Sequence, residues 1–241
     1  KMINKIKFFT LLSLIILFQS CTTNDNDEYV IMPKTIFEHV TTSTNYSYLA
    51  YALTKTNLAV ILNGSEEFTL YAPNNMAFGR FLMENGFRKI DEVPESLLNQ
   101  ILLNHVMVGT IEYRDFKTGY FNTSAISDAS KTPMSIHIEQ VNMRVTLNGE
   151  SRITQGNVRA TNGIIHAIDR VIPIPTVVTF AIADQNLGSL VSALTRSDLT
   201  TDFASILNTD PGISPAPFTV FAPTNQAFDD LLSELGVSRL G

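Results

Sequence analysis

The chain has 241 residues, 44% hydrophobic and 17% charged, with a formal net charge of −6. This balance is that of an ordinary globular protein, and it argues against nucleic acid as a partner because no basic patch is present to neutralise phosphates. A single cysteine allows no internal disulfide, so the folded parts must rely on their cores.

Residues 1–20 read as a targeting segment, with Lys1, Lys5 and Lys7 ahead of an apolar run from Phe8 to Phe18. The run is shorter than the roughly 20 apolar residues that a membrane-spanning helix needs. Cys21 follows directly, and Leu17-Phe18-Gln19-Ser20-Cys21 is similar to a bacterial lipoprotein cleavage box. That resemblance implies a lipid anchor on Cys21; a plain signal peptide with an incidental cysteine is the alternative. Residues 21–33, with Asp25, Asp27 and Glu28, are polar and lack apolar periodicity, so they read as a tether. An acidic tether at this place resembles the surface-export signals of Bacteroidetes lipoproteins, although any linker leaving a membrane is polar.

A first domain is expected over residues 34–175. Thr35 and Glu38 have capping-box spacing and open a short helix with Ile36, Phe37 and Val40 on its apolar side. Further helices are expected over residues 46–54 and 58–62. Phe68-Thr69-Leu70-Tyr71-Ala72-Pro73-Asn74-Asn75-Met76-Ala77-Phe78 then reads as a strand that turns straight into a helix. Phe68, Leu70 and Ala72 alternate with Thr69 and Tyr71, Pro73 ends the strand, and Asn74 or Asn75 caps the helix. A later helix starts at Pro94, and its stripe of Leu97, Leu98, Ile101 and Leu102 continues to His105.

From Thr110 the pattern changes to alternation. Ile136 and Ile138, then Val141, Met143, Val145 and Leu147, alternate with polar residues up to an Asn148-Gly149 turn. Ile153, Val158 and the stretch Ile164 to Ile172 complete a run of sheet. Helices first and strands after indicate an α+β domain. Ile172-Pro173-Ile174-Pro175 forms a stiff boundary, after which Ile182, Leu187, Leu190, Leu194 and Leu199 restart a helical front half. The strand-to-helix box recurs as Phe218-Thr219-Val220-Phe221-Ala222-Pro223-Thr224-Asn225-Gln226-Ala227-Phe228. A self-match at domain-length spacing implies one module carried twice. Residues 176–241 then read as the N-terminal part of a second copy, cut short before its sheet.

The repeated box resembles the first signature of the fasciclin (FAS1) domain family. Asn162-Gly163-Ile164-Ile165-His166-Ala167-Ile168-Asp169-Arg170-Val171-Ile172-Pro173 is similar to that family's closing segment, and Leu102-Leu103-Asn104-His105-Val106-Met107-Val108-Gly109 to its helix-to-strand junction. The resemblance implies a β-sandwich or β-wedge flanked by helices, in tandem with an incomplete second copy. Phe68, Ala72, Pro73, Phe78, Asn162, Gly163, His166, Asp169, Phe218, Ala222, Pro223 and Phe228 are then structural signature residues, expected in the core.

No set of residues points to catalysis, a metal or a cofactor. The four histidines, His39, His105, His137 and His166, are scattered, and there is no His-x-x-x-His pair, phosphate-binding loop or nucleophile elbow. His166 and Asp169 are three apart on an expected strand and so point to opposite faces. In animal members of the family the counterpart of Asn104-His105 is associated with receptor adhesion, which makes this pair the possible ligand contact; a hydrogen-bonded structural histidine is the other reading. The acidic residue of a second adhesion motif is missing from Gln155-Gly156-Asn157-Val158-Arg159, so that site is not carried over. The expected function is a non-catalytic, membrane-anchored adhesion module at the cell envelope, on the outer-membrane surface, with a protein or glycan partner. The alternative is an accessory glycan-binding lipoprotein of a surface uptake system, with Tyr29, Tyr113 and Tyr120 as sugar contacts.

Overall fold

The computed structural model describes residues 33–209 and 213–238. The readings of residues 1–32, including the anchor at Cys21 and the contact at Tyr29, lie outside the described residues.

Helix α1 (Ile36–Thr42) is opened by the expected capping box. The Glu38 amide donates to Thr35 Oγ1 at 3.2 Å, and the Thr35 amide donates to the Glu38 carboxylate at 2.8 Å. Helices α2 (Ser47–Lys55) and α3 (Leu58–Leu62) follow, then strand β1 (Phe68–Pro73) and helix α4 (Asn75–Glu84). Asn74 is the cap, accepting from the Ala77 amide at 2.9 Å. Helix α5 (Glu95–Asn104) starts behind Pro94 and leads into β2 (Val106–Val108).

The remaining strands are β3 (Gly119–Ile126), β4 (Pro133–Val141), β5 (Arg144–Leu147), β6 (Ser151–Ala160) and β7 (Gly163–Ile168). They form a seven-stranded sheet in the order β2-β1-β7-β6-β5-β4-β3, in which only β1 and β7 run parallel. The ends of that order, β2 and β3, approach each other, so the sheet bends into a nearly closed wedge. This is the α+β architecture that the residue pattern implies.

Two cores result, and β1 divides them by alternation. Phe68, Leu70 and Ala72 join Ile36, Leu49, Leu53, Phe78, Leu98 and Leu102 in a helix-covered core. Tyr71 points the other way, into the bend of the sheet with Ile136, Ile138, Val145, Leu147 and Ile168. Both faces of β1 are therefore covered, which explains why its alternation is apolar throughout.

The run from Ile136 to Leu147 is not one strand. Asn142 and Met143, at φ of 50° and 59°, form a tight turn between β4 and β5. Met143 continues the apolar alternation in sequence yet stands 72% exposed on that turn. Asn148-Gly149 does turn as expected, with φ of 50° and 73°. Strand β3 carries polar Thr123 and small Ala125 at its buried positions, which hides it from an apolar-pattern reading.

After Pro175, helices α6 (Val177–Ala183), α7 (Gly188–Leu194), α8 (Phe203–Leu207) and α9 (Asn225–Leu235) follow. The two boxes anchor their helices alike. Asn75 Oδ1 accepts from the Tyr48 amide at 3.1 Å and its Nδ2 donates to the Thr44 carbonyl at 2.8 Å. Asn225 repeats both bonds, with the Ser189 amide and the Gln185 carbonyl, each at 2.8 Å. Thr224 caps α9 as Asn74 caps α4. The strand half of the box differs: residues 218–223 form no strand, and Phe221 is 92% exposed where its counterpart Tyr71 is fully buried. The partners that turn Phe68–Pro73 into a strand, β2 and β7, both follow it in sequence, and no described residue takes their places beside 218–223.

Helix α6 rests on the β5–β6 turn. A Cβ on Gly149 would lie 3.2 Å from Ala183 Cα, on a backbone already at φ +73°. Gly149→Val is therefore expected to lift α6 off the sheet. Amide exchange over residues 177–187 should accelerate at least tenfold while β1 and β7 stay protected; unchanged exchange would show that the contact is not needed for docking.

Candidate functional site

The expected ligand contact, Asn104-His105, is a joint inside the domain. Both residues have no exposed surface. Asn104 Nδ2 donates to the Pro173 carbonyl at 3.0 Å, and its Oδ1 accepts from Thr123 Oγ1 at 3.1 Å. His105 Nδ1 lies 2.7 Å from the Ile101 carbonyl, which can only accept, so Nδ1 carries the proton. Nε2 then holds a lone pair and accepts from the Ile172 amide at 2.9 Å. Burial pushes the His105 pKa down to about 4, against the opposing effect of the Ile101 hydrogen bond. The pair thus fastens the α5–β2 junction to the segment after β7, and it presents no atom to a ligand in this conformation.

The closing segment is equally committed. Asn162 Oδ1 accepts from the Ile36 amide at 2.8 Å, and its Nδ2 donates to the carbonyls of Leu62 and Gly64, both at 2.9 Å. One buried amide thereby joins the start of α1, the end of α3 and the entry to β7. Gly163 follows, packed against the Phe68 backbone. His166 donates from Nε2 to the Ile111 carbonyl at 2.8 Å, and its Nδ1 accepts from the Asn157 amide at 3.3 Å. Burial lowers its pKa, opposed by the Ile111 bond. Asp169 turns away and accepts from the Arg152 amide at 2.8 Å, so it forms no pair with His166. With both ring nitrogens of His105 and His166 bonded to the backbone, neither is free to relay a proton. Among the described residues, no three His, Cys, Asp or Glu side chains gather in a way that could hold a metal ion.

Of the signature residues, Phe68, Ala72, Pro73 and Phe78 are buried as expected. Phe218 and Phe228 are only half-buried, and Ala222 and Pro223 are exposed, since no strand among the described residues pairs with the second box. Burial thus differs between the two boxes, complete for these residues of the first and partial or absent in the second.

Gln155-Gly156-Asn157-Val158-Arg159 forms an irregularity in β6, with Asn157 at φ 62°. Asn157 Oδ1 accepts from the Tyr113 amide at 2.8 Å, Gly156 lies against the Tyr113 ring, and Arg159 pairs with Glu112. Tyr113 donates its hydroxyl to the Met143 carbonyl at 2.8 Å. Tyr120 is 47% exposed, packs beside Phe180 of α6 and donates to Asp184 at 2.9 Å. Its pKa is pushed up to about 12 by burial and by that bond. Both tyrosine hydroxyls are thus engaged internally. Sequence reasoning missed the buried Thr123 and the paired anchors Asn75 and Asn225; the recurrence of Asn at one place in both boxes was the available signal for the latter two.

The Fasciclin domain family model matches residues 44–175, more than half of the chain. The chain belongs to the fasciclin family. The fasciclin match takes in β1, Asn104, His105 and the whole closing segment. Over 176 residues the chain is 31% identical to human periostin, covering 70% of this chain and 19% of that protein. It is 27% identical over 187 residues to pig transforming growth factor-beta-induced protein ig-h3, covering 77% and 25%. A fasciclin-like arabinogalactan protein of Arthroderma benhamiae is 28% identical over 178 residues, 70% of this chain and 40% of that one. The chain thus spans a quarter or less of the length of periostin and ig-h3. A solved FAS1 domain pair from the insect cell adhesion molecule Fasciclin I aligns over 58% of this chain and 50% of that one, at 17% identity and a TM-score of 0.47.

Proposed function

We propose that this protein is a non-catalytic adhesion or interaction module of the cell envelope, held to a membrane through Cys21 and binding extracellular protein or glycan. The observation that carries this reading is the fasciclin domain over residues 44–175. It is supported by the locked state of His105 and His166, whose ring nitrogens are all bonded to backbone. Residues 176–241 are read as the front of a second module, on the strength of the repeated Asn75 and Asn225 anchors.

Beads coated with the full chain should adhere to extracellular matrix or to cells bearing surface polysaccharide, whereas beads coated with an acid-unfolded sample should not. Equal adhesion by the two would remove the module reading. Expression in a bacterial host with a labelled fatty acid tests the anchor separately: label should enter the chain and be lost in Cys21→Ser.

A further inference from the structure

Strands β4, β5 and β6 turn one face toward the bend and the other outward. Glu139, Thr146 and Arg152 form a row across that outer face, and Val141 pairs with Arg144 one step further along. With Gln185 from the segment after α6, these residues and Asn142 line an open concavity of about 380 Å³. Arg144 and Arg152 sit diagonally on neighbouring strands, a relation that places side chains roughly 7–8 Å apart at their bases. Two guanidinium groups at that spacing can reach one anionic group between them.

The ion pairing of the chain singles out these two residues. Five of the eight arginines among the described residues, Arg88, Arg114, Arg159, Arg170 and Arg196, have a carboxylate within 4.0 Å. Arg80, Arg144 and Arg152 have none among the described residues, and two of those three share the concavity. Glu139, which also lines it, accepts a hydrogen bond from the Gln185 side-chain amide and keeps its charge, so two cations face one anion across the concavity. In a chain of net charge −6, this is a local excess of positive charge with its hydrogen-bond donors aimed at solvent.

We infer that this concavity binds an acidic polysaccharide, with Arg144 and Arg152 gripping the carboxylate of a uronic acid unit. Asn142, Thr146 and Gln185 supply uncharged donors and acceptors for ring hydroxyls. The lining offers no deep apolar pocket to seat a peptide side chain, which favours sugar over an acidic peptide. The volume equals that of roughly a dozen water molecules at about 30 Å³ each, enough for one or two sugar rings. An open site of this kind binds one unit weakly and gains through repetition along a polymer. The inference rests on the interaction-module reading and names a ligand class for it.

The test uses the full chain and calorimetric titration with polygalacturonate, with free galacturonate, with the methyl-esterified polymer and with polyglutamate. Polygalacturonate should bind, the free sugar acid at least tenfold more weakly, and the uncharged ester not at all. Arg144→Ser with Arg152→Ser should weaken polymer binding at least tenfold and flatten its salt dependence, without moving the urea midpoint, since both side chains are exposed. The inference is overturned if the double variant binds as the parent does, if the ester binds equally, if the free sugar acid binds as tightly as the polymer, or if polyglutamate binds as tightly through the same arginines. Bead adhesion of the parent chain separates the two readings. A parent that adheres yet binds no polygalacturonate removes this inference and leaves the module reading in place.

Discussion

Gly163→Ala is expected to abolish folding. A Cβ at this position would stand 1.9 Å from the Phe68 carbonyl oxygen and 2.9 Å from Ile36 Cδ1, on a backbone at φ +143°. The first contact is with main chain that is itself hydrogen-bonded between two strands, so no side-chain rotation relieves it. To accept the methyl group, β1 and β7 must separate at their first paired residues, which opens the seam between the helices and the sheet. Substitutions that force such a rearrangement cost more than about 4 kcal/mol, a large part of the whole stability of a domain. Soluble yield should collapse, or any soluble product should lack a cooperative urea transition. Gly79→Ala is the companion change: it lies within α4 with nothing near its Cβ position, and alanine there should stabilise by about 0.5–1 kcal/mol. A Gly163→Ala protein with a near-parental midpoint would show that the close approach of β1 to Gly163 is not obligatory.

Acid should weaken the fold before most carboxylates are protonated. In the unfolded chain His105 titrates near its ordinary 6.5, and in the fold it titrates at about 4. Between those values the unfolded state binds more protons, so stability rises with pH in this window and falls on acidification. The loss begins below 6.5 and is complete below about 4, where it reaches about 3 kcal/mol for His105 alone. His166 is shifted in the same direction, also by burial, and adds to the slope. Urea midpoints measured from pH 7 to pH 4.5 should fall steadily in the parent and less steeply in His105→Gln. If that variant does not fold, nitrogen chemical shifts of the parent still decide the matter. At pH 5 the His105 ring should remain neutral with the proton on Nδ1. A charged His105 ring at pH 5 in a folded protein would overturn the account.

The sequence showed most of the front half and less of the back. Thr35 with Glu38, Asn74 ahead of α4, and Pro94 ahead of α5 are local signals, because each acts on backbone within one helical turn of itself. The strand β1 was legible for a similar reason, since its alternation and its stop at Pro73 fall within six residues. The Asn142-Met143 turn was not, because methionine carries no turn signal and happened to continue the apolar rhythm. The roles of Asn162 and His105 were also hidden: their partners, Leu62 and Ile172, lie 100 and 67 positions away. The second box was read as core from its likeness to the first. The likeness holds where helix anchors on helix, through Asn225, and lapses where the box depends on strands that come later. The concavity of Arg144 and Arg152 required strand register, which alternation alone does not supply.

The parallel seam of β1 against β7 has a consequence for how this chain is made. A ribosome delivers Phe68 long before Gly163, so the newborn β1 must wait, greasy on both sides, while the helices around it settle. Only when the last strand arrives does Asn162 tie the two ends of the module together, and until then the nascent chain offers its bare edge to any strand or chaperone that passes.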